Sequence, residues 1–300
     1  MNRLSAPGIF AIVLCFCLAG VAAAPAAGEA PLGVFVAILP QASFVERIGG
    51  DAVSVEVLVG PGQSPHTYEL APRQMASLGK ARLFFTIGLP LEETIVKRIV
   101  STLPNLKIVD TRSGVLLLAV DDRNHRHRAG DYRAGEEENV DPHIWLDPKR
   151  VKIQAVTICQ ALAAADPARA SMFVRNLQLF LADLDRLDRE IGDILAPLSN
   201  KKVYVYHPSF GYFCESYGLL QEAVEQEGKE PAPRMLARFM ERAKKEEVKI
   251  IFVQPQFSSR NAETLARAIG GAVVPIDPLP RDYLGSLRET ARRIREGLAR

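Results

Sequence analysis

Among the side chains able to do chemistry, the imidazoles are few and their positions informative. The chain has five histidines. His125 and His127 lie in a polar stretch, while the other three border apolar, strand-like runs. His66 stands in Gly62-Gln63-Ser64-Pro65-His66-Thr67-Tyr68-Glu69, after the Val53–Val59 run. His143 stands in Asp141-Pro142-His143-Ile144-Trp145-Leu146-Asp147-Pro148, and His207 directly follows Lys202–Tyr206 and precedes Pro208. Asp277, in Ile276-Asp277-Pro278-Leu279, takes the same kind of position after Ala272–Ile276. Imidazole with carboxylate suits a divalent first-row metal, zinc above all where several nitrogens meet in four-coordination. Three neutral histidines and one carboxylate would close the shell and leave no position for a reactive water, which points to carrying an ion rather than to hydrolysis. The four residues are 77, 64 and 70 positions apart, which is no metal signature in itself. On spacing alone, packing or capping is the commoner role for a lone histidine at a strand end.

The elements that must position these residues alternate between short apolar runs and amphipathic stretches, the rhythm of an α/β protein. In the first half, Gly33–Leu39, Val53–Val59, Leu83–Ile87, Leu106–Val109 and Val115–Val120 read as strands, with helices over Phe44–Ile48 and Glu92–Val100. Asp121–Asn139 is rich in acids and arginines and almost devoid of large apolar residues, so a surface loop is expected. A helix follows Pro148 to about Ala165, and Asp166-Pro167 is a strong start for the next. Phe173, Leu177, Phe180, Leu184, Leu187, Ile191 and Ile194 then form one apolar stripe that Pro197 ends. The second half repeats the rhythm. Strands are expected at Lys202–Tyr206, Leu219–Glu225, Val248–Val253 and Ala272–Ile276, and helices at Phe210–Tyr217, Pro233–Glu247, Ser259–Ile269 and Leu284–Leu298. The fold class is α/β: two similar α/β lobes with parallel-type sheets, residues 31–165 and 199–300, joined by one long rigid helix over 166–198. In open parallel sheets the carboxyl ends of the strands face the ligand crevice, so His66, His143, His207 and Asp277 are placed to converge between the lobes.

Composition narrows the alternatives. With 37 basic against 35 acidic residues the formal net charge is only +2, which gives no electrostatic reason to expect nucleic acid. Asn2 and Arg3, the apolar run Ile9–Ala19 and the small residues Gly20–Ala27 have the three-part layout of a secretory signal over residues 1–26. The apolar run is shorter than the ~20 residues of a membrane-spanning helix. Cleavage is expected after Ala23, Ala24 or Ala26, and no cysteine stands where a lipoprotein would need one, so export to the periplasm as a soluble protein follows. Of the four cysteines, Cys159 and Cys214 remain, both in apolar helical patterns that favour buried free thiols over a bridge. An exported hydrolase is the rival class. Gly62-Gln63-Ser64-Pro65-His66 imitates a nucleophile elbow but lacks its last glycine, and Pro65 has no N–H to give an oxyanion. A metallohydrolase would want an open coordination position.

The segments around the four residues resemble the metal-binding solute receptors of ABC importers, the zinc/manganese (cluster A-I, or TroA-like) periplasmic proteins. Ser64–Leu70 (SPHTYEL) with the APRQMASLGKARLFFTIGLPLEE after it resembles the family's first motif. Asp141–Pro148 (DPHIWLDP) resembles the second, His207–Leu219 (HPSFGYFCESYGL) the third, and Glu230–Leu279 the fourth. The resemblance runs from about Leu32 to the C-terminus and includes the single long helix. It implies His66, His143, His207 and Asp277 as metal ligands and no enzymatic activity. Zn²⁺ is the implied cargo, with Mn²⁺ the alternative; a histidine at 207, where manganese-selective members tend to carry a carboxylate, favours zinc. The implied partner is an ABC permease in the inner membrane, approached by a monomeric receptor. A surface adhesin, a label attached to some relatives, is disfavoured because nothing in the sequence tethers the chain to a surface. Two departures stand out. The Asp121–Asn139 loop holds only two histidines where zinc members carry a His-rich insertion, and Gln254 stands where many members have Glu.

Overall fold

The computed structural model describes residues 30–121, 126–129, 140–198, 201–224, 233–257 and 259–299. The expected signal segment, residues 1–26, lies outside them. Pro31–Arg300 is one compact unit. It holds two four-stranded parallel sheets that share one chain order.

The first sheet is built from β1 (Leu32–Val36), β2 (Val53–Val57), β3 (Leu83–Thr86) and β4 (Lys107–Asp110), in the order β2-β1-β3-β4. Helices α1 (Leu39–Gly49), α2 (Pro72–Leu78) and α3 (Pro90–Ile99) cross between them. In β3 every residue of Leu-Phe-Phe-Thr is buried, as a central strand covered on both faces requires. At the sheet edge, β2 alternates half-buried valines with exposed Ser54 and Glu56. The second sheet holds β7 (Lys202–Val205), β8 (Leu220–Ala223), β9 (Ile250–Val253) and β10 (Ala272–Pro275) in the order β10-β9-β7-β8. Here α6 (Gly211–Ser216), α7 (Pro233–Lys245) and α8 (Ser259–Ala268) make the crossovers, and α9 (Tyr283–Leu298) follows the last strand. Counted from its own first strand, each sheet runs 2-1-3-4, so ligand-facing strand ends are repeated in both lobes.

Between the sheets come α4 (Pro148–Ala165) and α5 (Ala170–Leu195). Asp147 caps α4 by accepting the Lys149 N–H at 3.0 Å. A 3-10 turn over Pro167–Arg169 precedes α5, which therefore begins three residues later than the Asp166-Pro167 signal suggests. At 26 residues, α5 is about 39 Å long at 1.5 Å per residue. Phe173, Phe180, Leu184, Leu187 and Ile191 of the expected stripe are buried, and Leu177 and Ile194 pack half-buried beside them. Both lobes bind this helix. Asn176 donates to the Ile48 carbonyl at 3.0 Å, Tyr217 donates to Asp188 at 2.9 Å, and Arg288 pairs with Glu190 at 2.6 Å.

Three expectations need correction. The expected Val115–Val120 strand does not extend the main sheet; β5 (Leu118–Asp121) pairs antiparallel with β6 (Arg126–Ala129). Asp121 and β6 lie within the stretch expected to be loop throughout, while residues 122–125 and 130–139, including His125, fall outside the described ones. Its backbone ladder supplies the order that the polar sequence does not signal. The run expected to stay extended to Leu39 turns into α1 at that residue, because Pro40 sits in the first helical turn. Cys159 and Cys214 are both free and buried, as expected from their apolar surroundings.

Candidate metal centre

His66 lies on the long loop after β2. Gln74 braces that loop by donating to the Leu58 carbonyl at 2.9 Å, and the Ser64 hydroxyl accepts the His66 N–H at 3.3 Å. His143 begins a 3-10 turn over Ile144–Leu146 that leads into α4. His207 follows the end of β7. The three rings meet. Nε2 of His207 lies 3.2 Å from Nε2 of His66 and 3.3 Å from Nε2 of His143, and ligand nitrogens of all three fall within 4.8 Å of one another. Nitrogens at 2.0–2.1 Å from a tetrahedral zinc are about 3.3 Å apart, so two edges of the cluster already have that spacing.

Each imidazole is held for ligation in its own way. Asp141 Oδ1 accepts from both the His143 backbone N–H at 2.9 Å and the ring Nδ1 at 2.6 Å. A carboxylate can only accept, so Nδ1 carries a hydrogen, and in the neutral ring this leaves the lone pair for a cation on Nε2. The Gln254 side chain accepts the His207 backbone N–H at 3.1 Å and donates to its carbonyl at 2.8 Å. Phe257 stacks on the His207 ring with centroids 4.8 Å apart and planes at 25°. His66 is held to a pKa of about 3, first by burial and then by the neighbouring His207 and His143 imidazoles. It is therefore neutral at any physiological pH, with a lone pair available.

Asp277 follows β10 and is half-buried. The structure does not bring its carboxylate into the three-histidine cluster. Its Oδ1 accepts from Gln256 Nε2 at 2.8 Å and from the Leu279 N–H at 2.9 Å. Its neighbours Gln256, Pro278 and Leu279 do line the cavity, beside the three histidines, Leu89 and Trp145. That cavity measures about 20 Å³, room for one ion or one water and not for an organic molecule. Glu69 is exposed and plays no part in the cluster.

Several contributors were not foreseen from sequence. Trp145 donates its indole N–H to the Pro278 carbonyl at 2.7 Å, which ties the His143 turn to the Asp277 loop across the lobes. Tyr212 in α6 reinforces this by donating to the Asp141 carbonyl at 2.7 Å and accepting the Leu118 N–H at 2.9 Å. Leu89 reaches the cavity from a turn in which the Ile87, Gly88 and Leu89 N–H groups all donate to the Glu92 carboxylate at 2.7–3.0 Å. Burial outweighs those donors and pushes the Glu92 carboxyl up to about 7. The Asp-x-His spacing of Asp141 and His143 is a local signal that a carboxylate orients a ring. The contacts of Trp145 and Gln256 depend on distant partners and leave no such trace.

Two parallel-sheet lobes, a long helix common to both and a buried ion-sized site between them are the build of a bilobal solute-binding receptor. The chain belongs to the family described as zinc-uptake complex component A, periplasmic, whose profile matches residues 34–297. Over 255 residues it is 31% identical to a Chlamydia muridarum protein provisionally described as metal-binding, covering 85% of this chain and 87% of that one. A crystal structure of ZnuA is similar at 37% identity and a TM-score of 0.80, covering 89% of this chain and 99% of that one. A ZnuA deletion mutant with zinc bound gives the same identity and TM-score, covering 89% of this chain and 98% of its own. Among the described residues no helix is long and apolar enough to cross a membrane.

Proposed function

We propose that this protein binds Zn²⁺ between its lobes through His66, His143, His207 and Asp277 and delivers it to an ABC permease in the inner membrane. The observation that carries this reading is the trio of Nε2 atoms, spaced at 3.2 and 3.3 Å around His207, in a cavity of ion size. Membership of the zinc-uptake family and the zinc-bound relative support the choice of cargo. Asp277 would contribute the carboxylate oxygen that closes a four-coordinate shell. A closed shell and the absence of room for an organic substrate fit a carrier rather than an enzyme. The protein works as a monomer in the periplasm after its N-terminal signal is removed.

Titration of the purified protein with zinc and with manganese, each against a competing chelator, tests the proposal. Zinc should bind at least tenfold more tightly than manganese, and His143→Ala and His207→Ala should each weaken zinc binding by tenfold or more. Preference for manganese would overturn the cargo, and unchanged zinc affinity in both variants would overturn the site.

A further inference from the structure

The turn that follows β9, Gln254-Pro255-Gln256-Phe257, touches both ligands proposed for the second lobe. Gln254 is fully buried, and its amide is used at both ends. Its oxygen accepts the His207 N–H at 3.1 Å, while its nitrogen donates to the His207 carbonyl at 2.8 Å and approaches Ser209 Oγ at 3.2 Å. The amide provides acceptor and donor together at this length, as a glutamate does only when it carries its proton. An ionised carboxylate here would set an oxygen against the His207 carbonyl with no hydrogen between them. Two residues on, Gln256 donates Nε2 to Asp277 Oδ1 at 2.8 Å. Together with the Leu279 N–H at 2.9 Å, this commits Oδ1 to hydrogen bonds and leaves Oδ2 as the oxygen for a cation. The Gln256 Oε1 is buried and has no hydrogen-bond partner among the described residues, so the bond to Asp277 is the one hydrogen bond that the side chain makes among them.

We infer that Gln254 and Gln256 are positioning residues for metal binding: Gln254 fixes the peptide from which His207 projects, and Gln256 restricts Asp277 to ligation through a single oxygen. This rests on the reading of His207 and Asp277 as ligands. The sequence offers a physical reason for glutamine at both positions. The turn packs beside a carboxylate and a peptide carbonyl, and an amide N–H satisfies each of them where an ionised acid would repel them.

The test is a pair of double-mutant cycles on the full protein, read by zinc affinity and by the visible d–d bands of bound cobalt(II). One cycle combines Gln256→Leu with Asp277→Ala, and the other combines Gln254→Leu with His207→Ala. In the otherwise native protein each glutamine change should weaken zinc binding by about 10- to 100-fold. In the background lacking the ligand it should have little further effect. Gln256→Leu should also weaken the cobalt bands, as four-coordination gives way to a higher number when only the Leu279 N–H still restrains Oδ1. Gln256→Ala repeats the cycle with a smaller side chain, and thermal melting of the metal-free variants checks that each folds. Unchanged affinity and spectrum in Gln256→Leu and Gln254→Leu, with Asp277→Ala and His207→Ala still impaired, would overturn this inference and leave the ligand assignment standing. Fully multiplicative losses in both cycles would likewise overturn it. Native affinity in Asp277→Ala or in His207→Ala would instead remove that ligand, and with it the role of the glutamine paired with it.

Discussion

Because burial and two neighbouring imidazoles hold His66 to a pKa of about 3, this residue couples folding of the metal-free protein to protons. In the unfolded chain the ring titrates at its ordinary 6.5. Between these values the unfolded state binds a proton that the folded state refuses, so acid favours unfolding. The sign is definite: the His66 contribution is neutral above about pH 7 and increasingly destabilising as pH falls below 6.5, until the folded ring itself titrates near pH 3. At pH 5.5 an unfolded imidazole is about ten-elevenths protonated, which amounts to about 1.4 kcal/mol in favour of unfolding relative to pH 7.5. The comparison is with His66→Asn, which keeps a polar group of similar size and cannot titrate in this range. Urea melts of both proteins with a chelator present, at pH 7.5 and pH 5.5, should show the native protein losing about 1.4 kcal/mol more than the variant over that interval. Parallel pH profiles would refute the argument, because they would mean that the ring accepts its proton equally well folded and unfolded.

Other consequences follow from the same site. Asp141→Asn removes the carboxylate that holds the His143 ring and raises its basicity, so zinc affinity measured by chelator competition should fall about 10- to 100-fold. Trp145→Phe deletes the indole donor and leaves the buried Pro278 carbonyl without it, costing about 1–3 kcal/mol in urea melts. Trp145 is also the only tryptophan and its ring lies 5.1 Å from that of His143, so the intrinsic fluorescence of the native protein should change on adding zinc. Burial pushes both the Cys159 and Cys214 thiols up, so neither should react with a thiol reagent at pH 8 until the protein is denatured.

The strands could be read because parallel sheets bury both faces: Leu-Phe-Phe in β3 and Ile-Ile-Phe-Val in β9 are unbroken apolar runs. The histidines were found for a related reason, since His66 and His207 lie past strand ends and strand ends of both lobes face one crevice. The β5–β6 hairpin was not legible. Arg126, His127 and Arg128 carry no apolar period, and only the pairing of His127 with Val120 and of Arg128 with Ala119 makes β6 a strand. Likewise α2 is seven residues long, too short for a periodic stripe. The orientation of Asp277 depends on Gln256, and the position of its loop depends on Trp145. Those are contacts between residues 21 and 133 positions apart, for which sequence pattern has no counterpart.

The distribution of the core limits how the site can open. The larger hydrophobic cluster runs through both lobes, from Val34 and Phe84 through Phe180 and Leu187 of α5 to Val205, Phe252 and Tyr283. Swinging the lobes apart would divide that cluster. It would also break the Trp145–Pro278 and Tyr212–Asp141 hydrogen bonds and the Arg150–Glu215 ion pair at 2.8 Å. A second, smaller cluster lies wholly within the C-terminal lobe, where Phe239, Ala243, Ala262 and Leu265 of α7 and α8 pack on Ile251 and Val253. Phe257 packs against this cluster and stacks on His207, so displacement of the outer layer uncovers a ligand without dividing the main core. Amide hydrogen exchange distinguishes the two routes. In the metal-free protein, α7, α8 and residues 254–257 should exchange faster than the middle of α5, and zinc should protect residues 254–257 most. Equal protection by zinc along α4 and α5 would show that the lobes themselves separate, and would place the moving boundary at the long helix.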